Sequence, residues 1–274
     1  MIRWLAGAML ALGGCSAPEA PPASSSGSAS ADRPTIVSLN PCADAILTEV
    51  AAPGQLLAIS HYSKDPRASS MEADDARRYR ATGGTVEEVL ALDPDVVVAS
   101  SFIAPATRAA LTDLGIKVET IGSVASVEDS VAQVRQLALA TGGVEAGEKL
   151  VGRMEAAVVP SSSSPIDTVL WQAGGIVPGD ATLVIDLMQR AGLANGAGER
   201  GLAQADFLPL ENVLADPPEL LLVAGSERSQ DHPALAALSE TLVARLDPNL
   251  VYCGGPTIPR TMAKLRALRR SLDS

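Results

Sequence analysis

Hydrophobic positions fall into three regimes along the chain. Behind Met1, Ile2 and Arg3 stands an unbroken run of small and apolar residues at 4–12, far short of the roughly 20 residues that a membrane-spanning helix needs. Residues 16–31 are almost wholly Ser, Ala, Pro and Gly, which bury too little apolar surface to offset the entropy of ordering. From Thr35 onward, short β-branched or aliphatic runs alternate with stretches of helical spacing, the signature of βα units around mostly parallel sheets. Opening strands are predicted at 35–39 and 167–172, and helix-then-strand units at 106–121 and 233–253. Between them, Val131, Val134, Leu137, Leu150 and Met154 give 127–159 a helical period that Gly142 and Gly143 break.

The pattern also repeats. Glu87 opens E-E-V-L-A-L-D-P-D-V-V-V-A-S, and Glu211 opens E-N-V-L-A-D-P-P-E-L-L-L-V-A-G. Each reads as a short helix stopped by a proline, Pro94 or Pro217, followed by a buried strand. The chain is therefore expected to be α/β, with two Rossmann-like lobes joined by a long backbone helix. The expected divisions are a leader at 1–14, a tether at 15–32, a first lobe at 33–126, a connecting helical segment at 127–160 and a second lobe at 161–274.

Composition narrows the function. With 21 Lys and Arg against 32 Asp and Glu, the net charge is −11, which argues against a nucleic-acid partner. Three cysteines without a C-x-x-C pair exclude a zinc ribbon, and His61 and His232 alone cannot build a histidine-rich metal cage. No metal site or cofactor is expected. Neither a G-x-x-x-x-G-K-[ST] loop nor a G-x-S-x-G elbow is present. Gly196, Gly198 and Gly201 match G-x-G-x-x-G but follow a stretch, 185–193, that reads as helical, so they are expected to form a glycine-rich helix exit. A hydrolase built on His61, Asp65 and a nearby serine is the weaker alternative, because such residues in one short loop rarely reach triad geometry.

Ligands of open α/β sheets bind beyond the carboxyl ends of the strands, so those loops supply the candidates. The first half offers Asn40, Pro41 and Cys42, then Ser60, His61 and Tyr62, then Ser100, Ser101 and Phe102. The second offers Trp171, Gln172, Gly174 and Gly175, then Gly225 and Ser226, and finally Tyr252, Cys253, Gly254, Gly255 and Pro256. Aromatic residues make up only 3% of the chain, yet Tyr62, Phe102, Trp171 and Tyr252 cluster at these ends, as for a flat or greasy ligand. Arg67, Arg77, Arg78 and Arg80 are interleaved with Glu72, Asp74 and Asp75 and read as a solvated face. Cys42 and Cys253 leave three readings open: a disulfide that clamps the lobes, two free thiols that touch the ligand, or small apolar residues that never meet.

Two resemblances add to this reading. Leu12, Gly13, Gly14 and Cys15 resemble the lipobox of bacterial lipoproteins, which implies cleavage before Cys15, its lipidation, and a membrane-anchored periplasmic protein. I-V-S-L-N-P-C-A-D-A-I-L, A-I-S-H-Y-S, L-G-I-K-V-E-T-I, the paired acidic repeats and the Gly-Gly-Pro loop together resemble the helical-backbone substrate-binding proteins of ABC importers for iron chelates and cobalamin, over about residues 33–272. The resemblance implies a non-enzymatic, monomeric receptor whose lobes hold a ferric siderophore, haem or cobalamin in a cleft and deliver it to an inner-membrane permease. It assigns permease docking to Glu87 and Glu211, and matches Tyr62 to a cleft-facing tyrosine of the cobalamin binders. The expected ligand contacts, drawn from the strand-end loops and for Tyr62 from the resemblance as well, are Asn40, Pro41, Cys42, Tyr62, Phe102, Trp171, Gln172, Tyr252, Cys253 and Gly254. A lipid-anchored sensor or interaction module with the same fold is the alternative.

Overall fold

The structure is a computed structural model that describes Met1 and residues 33–272. The expected leader, tether and lipidation site, residues 1–14, 15–32 and Cys15, lie outside this span except for Met1. In chain order the regular elements are β1 (Ile36–Ser38), α1 (Pro41–Val50), β2 (Leu56–Ser60), α2 (Ala73–Arg77), β3 (Ala81–Thr82), α3 (Val86–Leu90), β4 (Val96–Ser100), α4 (Pro105–Asp113) and β5 (Lys117–Ile121). They continue with α5 (Val127–Thr141), α6 (Val144–Ala157), β6 (Ile166–Gln172), α7 (Leu183–Arg190), β7 (Leu193–Asn195), α8 (Gly196–Glu199), α9 (Leu210–Ala215), β8 (Leu220–Ala224), β9 (Leu242–Arg245) and α10 (Thr257–Leu272).

Among the described residues the strands form two parallel sheets, ordered β3-β2-β1-β4-β5 and β7-β6-β8-β9. Dropping β3, the two orders trace the same path, so the sequence repeat is also a repeat of topology. Its acidic helices, α3 and α9, each run into the strand beside the opening one, β4 beside β1 and β8 beside β6.

Local chemistry sets the helix boundaries. Asn40 caps α1, accepting from the Cys42 and Ala43 N–H groups, and Pro41 fits the first turn, where a missing N–H leaves nothing unpaired. Ser126 and Asp129 form a reciprocal capping box on α5. The expected single connecting helix is instead two helices packed on each other. Gly142 ends α5 with a left-handed φ of 67°, and a Cβ on Gly143 would lie 2.0 Å from the Val50 carbonyl oxygen, so the chain can turn against α1 only with glycine there. Gly147 likewise brings α6 close to Ala138 of α5.

This helical pair is the centre of the molecule. One apolar cluster runs from Ile36 and Val98 of the first sheet through Ile46, Val134, Leu137, Leu150 and Met154 to Met262, Leu170 and Leu222 of the second lobe. The lobes thus share a core rather than meeting at a thin joint. The opposite sheet faces carry separate clusters, Val37, Val97 and Leu111 in the first lobe and Val169, Trp171 and Leu221 in the second.

Candidate functional site

Above the shared core, the carboxyl ends of β1, β4 and β5 meet the amino end of α7 and the loop before α10. They enclose a recess of about 190 Å³, lined from one lobe by Asn40, Cys42 and Ser100 and from the other by Thr182, Tyr252 and Gly254. Polar contacts hold this seam. The Gly255 N–H donates to Ser130 Oγ at 2.8 Å, the Val127 N–H donates to Asp186 Oδ2 at 2.8 Å, and Arg260 reaches the Ser70 carbonyl at 2.9 Å while pairing with Glu72.

A covalent link joins them. Cys42, in the first turn of α1, is bonded to Cys253, 211 residues away. Of the three readings of these cysteines, the disulfide is the one the structure holds, and it forms a wall of the recess. It ties the loop that carries Tyr252 to the first lobe, so the recess cannot widen at this wall by separating the two segments.

The recess brings together Asn40, Cys42, Tyr252, Cys253 and Gly254 of the predicted contacts. Pro41 sits half-buried beside it in the first turn of α1 and does not line it. Tyr62 (54% exposed) and Phe102 (82% exposed) stand at the carboxyl edge of the first sheet, just past β2 and β4, outside the recess itself. The His61 and Tyr62 rings lie with centroids 4.1 Å apart.

Trp171 is placed differently from expectation. It is 1% exposed on the far face of β6, and its indole N–H donates to the Leu208 carbonyl at 2.9 Å. Strand alternation explains the difference, since Leu170 points into the shared core and its neighbour must therefore point away. Gln172 also lies off the recess, its carbonyl accepting from the Gln230 side chain at 2.8 Å.

The recess gains residues that sequence reasoning missed: Gln133, the 122–124 segment after β5 and the start of α7. The strand-end rule applied to β5 would have found the segment. Gln133 is a buried amide on the face of α5 that also buries Ser130, and a buried amide signals a polar neighbour.

Elsewhere the candidates separate cleanly. Glu87 and Glu211 are exposed, each the second residue of its helix, whereas the adjacent Glu88 is tied down by Thr82 Oγ1 at 2.8 Å and by the Gly83 and Gly84 N–H groups. These bonds, the Thr82 hydroxyl first, hold the Glu88 carboxyl below its usual range. His61 meets the Thr82 carbonyl at 3.3 Å while Asp65 is engaged by Arg67, so the hydrolase arrangement is not assembled. Arg77 and Arg78 pair with Asp74 and Asp75 on an exposed face. Gly196 proves to follow β7 and open α8, not to leave a helix, yet a Cβ there would meet the Asp167 carboxylate, which Arg200 grips through both oxygens. That carboxylate occupies the place an anion would need.

One buried group is anomalous. Asp44 of α1 is wholly buried, takes bonds from the Ser60 N–H and the Ser63 hydroxyl, and keeps Oδ1 without a partner. Burial pushes its pKa up to about 7, against the lowering effect of the serine bonds.

Two parallel α/β lobes around a helical core, with a recess at the strand ends that both lobes line, define a solute-binding protein. The periplasmic binding protein family matches residues 36–238, and the chain belongs to that family. Among solved structures it is similar to the periplasmic heme-binding protein RhuT from Roseiflexus sp. RS-1, at 20% identity and a TM-score of 0.67 over 87% of this chain and 97% of that one. It is also similar to the periplasmic vitamin B12 binding protein BtuF of Vibrio cholerae (17%, TM-score 0.66, 88% and 98%) and the periplasmic heme-binding protein HutB of Vibrio cholerae (18%, TM-score 0.66, 86% and 98%). No curated protein matches. The family binds solutes and is not enzymatic, in agreement with the sequence reading.

Proposed function

We propose that the chain is the monomeric, lipid-anchored receptor of an ABC importer, capturing a metal chelate between its lobes and delivering it to an inner-membrane permease. The observation that carries this reading is the recess lined by both lobes, with exposed aromatics Tyr62, Phe102 and Tyr252 beside or on it in a chain poor in aromatics. Such rings suit the faces and edges of a macrocycle or an aromatic chelator. Glu87 and Glu211, exposed at equivalent points of the two lobes, suit a partner with two matching basic patches. The leader at 1–14, lipidation at Cys15 and the tether at 15–32 would place the body at a membrane surface. The lobes are assigned to 33–126 and 161–274, with 127–160 between them.

Haem, vitamin B12 and ferric siderophores are the cargo classes to test. Calorimetric titration of the mature protein with each should give saturable binding of one class with one site per chain. Absence of heat from all of them would overturn the receptor reading in favour of a sensor or interaction module.

A further inference from the structure

The recess is electrically neutral. None of the fifteen described residues that line it is a Lys, Arg, His, Asp or Glu, in a chain with 21 Lys and Arg and 32 Asp and Glu residues. Of the acids nearest it, Asp186 is engaged with Arg190 and the Val127 N–H, Asp129 with the Ala125 and Ser126 N–H groups, and Asp44 is buried against Ser60 and Ser63; Asp247 acts on Tyr252 and adds negative, not positive, charge beside the recess. Burial raises the Tyr252 hydroxyl above its ordinary value, so it too stays uncharged at neutral pH.

Its polar groups are half committed. Asn40 uses Oδ1 to cap α1 and retains its Nδ2 hydrogens; Ser100 Oγ accepts from the Phe102 N–H at 3.1 Å and retains its own proton. Gln133 donates through Nε2 to the Gly122 carbonyl at 2.9 Å and retains Oε1 as an acceptor. Asn40 Nδ2 and Ser100 Oγ are therefore available as donors and Gln133 Oε1 as an acceptor, beside the Ser123 and Tyr252 hydroxyls, which can do either, and Thr182 Oγ1, which donates to the Gly179 carbonyl and can still accept. That set complements a neutral amide or hydroxyl, which both accepts and donates. A carboxylate would face Gln133 Oε1 with no proton to offer and no cation to offset its desolvation. The volume, about 190 Å³, falls below the roughly 300 to 1,000 Å³ of pockets that enclose whole ligands, so the recess holds one arm of a larger molecule.

Resting on the receptor reading above, we infer that this recess selects a chelate by an uncharged amide- or hydroxyl-bearing arm and rejects a carboxylate in the same place. The disulfide wall keeps the recess at that size.

The test uses matched pairs that differ in charge: cyanocobalamin against its monocarboxylic acid, the bis-amide of haemin against haemin, and ferrichrome against its tricarboxylate analogue. Calorimetry on the mature protein should show the uncharged member of the binding pair at least tenfold tighter. Ser123→Arg, on an exposed position of the lining, should narrow or reverse that ratio while leaving the fold intact by circular dichroism. Equal or tighter binding of the carboxylate member by the unaltered protein would overturn the inference while leaving the receptor reading standing. No binding of any pair would overturn both.

Discussion

The two lobes share a strand path and differ in how they leave it. In the first, β1 passes to α1 through residues 39–40 alone; in the second, β6 passes to α7 through residues 173–182. The short turn brings Asn40 and Cys42 directly to the recess. The long one brings no residue to the recess before Thr182, and a Cβ at Gly175, in the left-handed region at φ 75°, would strike the Phe207 ring. The aromatics that follow or end the inner strands differ as well. Tyr62 and Phe102 of the first lobe are exposed, while Trp171 of the second is sealed beneath the Leu208 segment. Equal topology therefore supports unequal placement: the second lobe presents its recess aromatic, Tyr252, from the loop before α10 instead of from β6.

A second contrast lies in α1 and α7, equivalent helices with an aspartate as the fourth residue of each. Asp186 pairs with Arg190 at 2.8 Å; Asp44 is buried with serines and no cation. Among the described residues, the first lobe therefore carries a buried acid with a pKa near neutrality and its counterpart in the second does not.

These contrasts can be broken in order of expected size. Trp171→Ala should destabilise the protein by about 3–5 kcal/mol, as large-to-small core changes do, yet leave ligand affinity unchanged. Phe102→Ala should do the reverse, and urea unfolding beside calorimetry reads both. An affinity loss in the tryptophan variant at full folding would return Trp171 to the site.

Asp44 should give stability a pH slope of the opposite sign to that of a salt-bridged acid. Unfolded, it ionises near 3.8; folded, it holds its proton to about 7, so between these values the native state binds more protons. Stability from this group is then greatest at the acid end and falls as pH rises through that window. Asp44→Asn should remove a contribution of up to about 4 kcal/mol to that slope. Parallel pH dependence of the two proteins in denaturant titrations would refute it.

Loss of the interlobe bond in Cys42→Ser/Cys253→Ser should lower stability by about 2–4 kcal/mol, with reductant mimicking the change in the unaltered protein. Smallest in stability, within about 0.5 kcal/mol, are Glu87→Arg and Glu211→Arg, because both side chains are exposed. Their expected effect is on chelate import, reduced by either and abolished by both; undiminished import by the double variant would end the docking assignment.

Much of the fold was legible because it depends on local periodicity. The alternation of runs, the proline-stopped helices and the paired acidic repeats are properties of neighbouring residues, and they alone put Glu87 and Glu211 at equivalent points. The break at Gly142–Gly143 was visible too, although it makes a folded pair of helices where one was expected. The site was legible only in part. Strand-end reasoning found Asn40, Cys42, Tyr252, Cys253 and Gly254, but it could not say on which face Trp171 lies, because that depends on which side of β6 the shared core covers.

By itself, then, the sequence determined the α/β class, the duplicated lobes and the cluster of candidate groups at strand ends, since spacing and breaker residues act over a few positions. Tertiary structure alone decided that Cys42 meets Cys253, that Trp171 packs outward, that Gln133 joins the recess and that Asp44 is left buried without a cation. Each of these turns on contact between segments tens to hundreds of residues apart, and such contacts follow from how the helical pair packs the two sheets around one core.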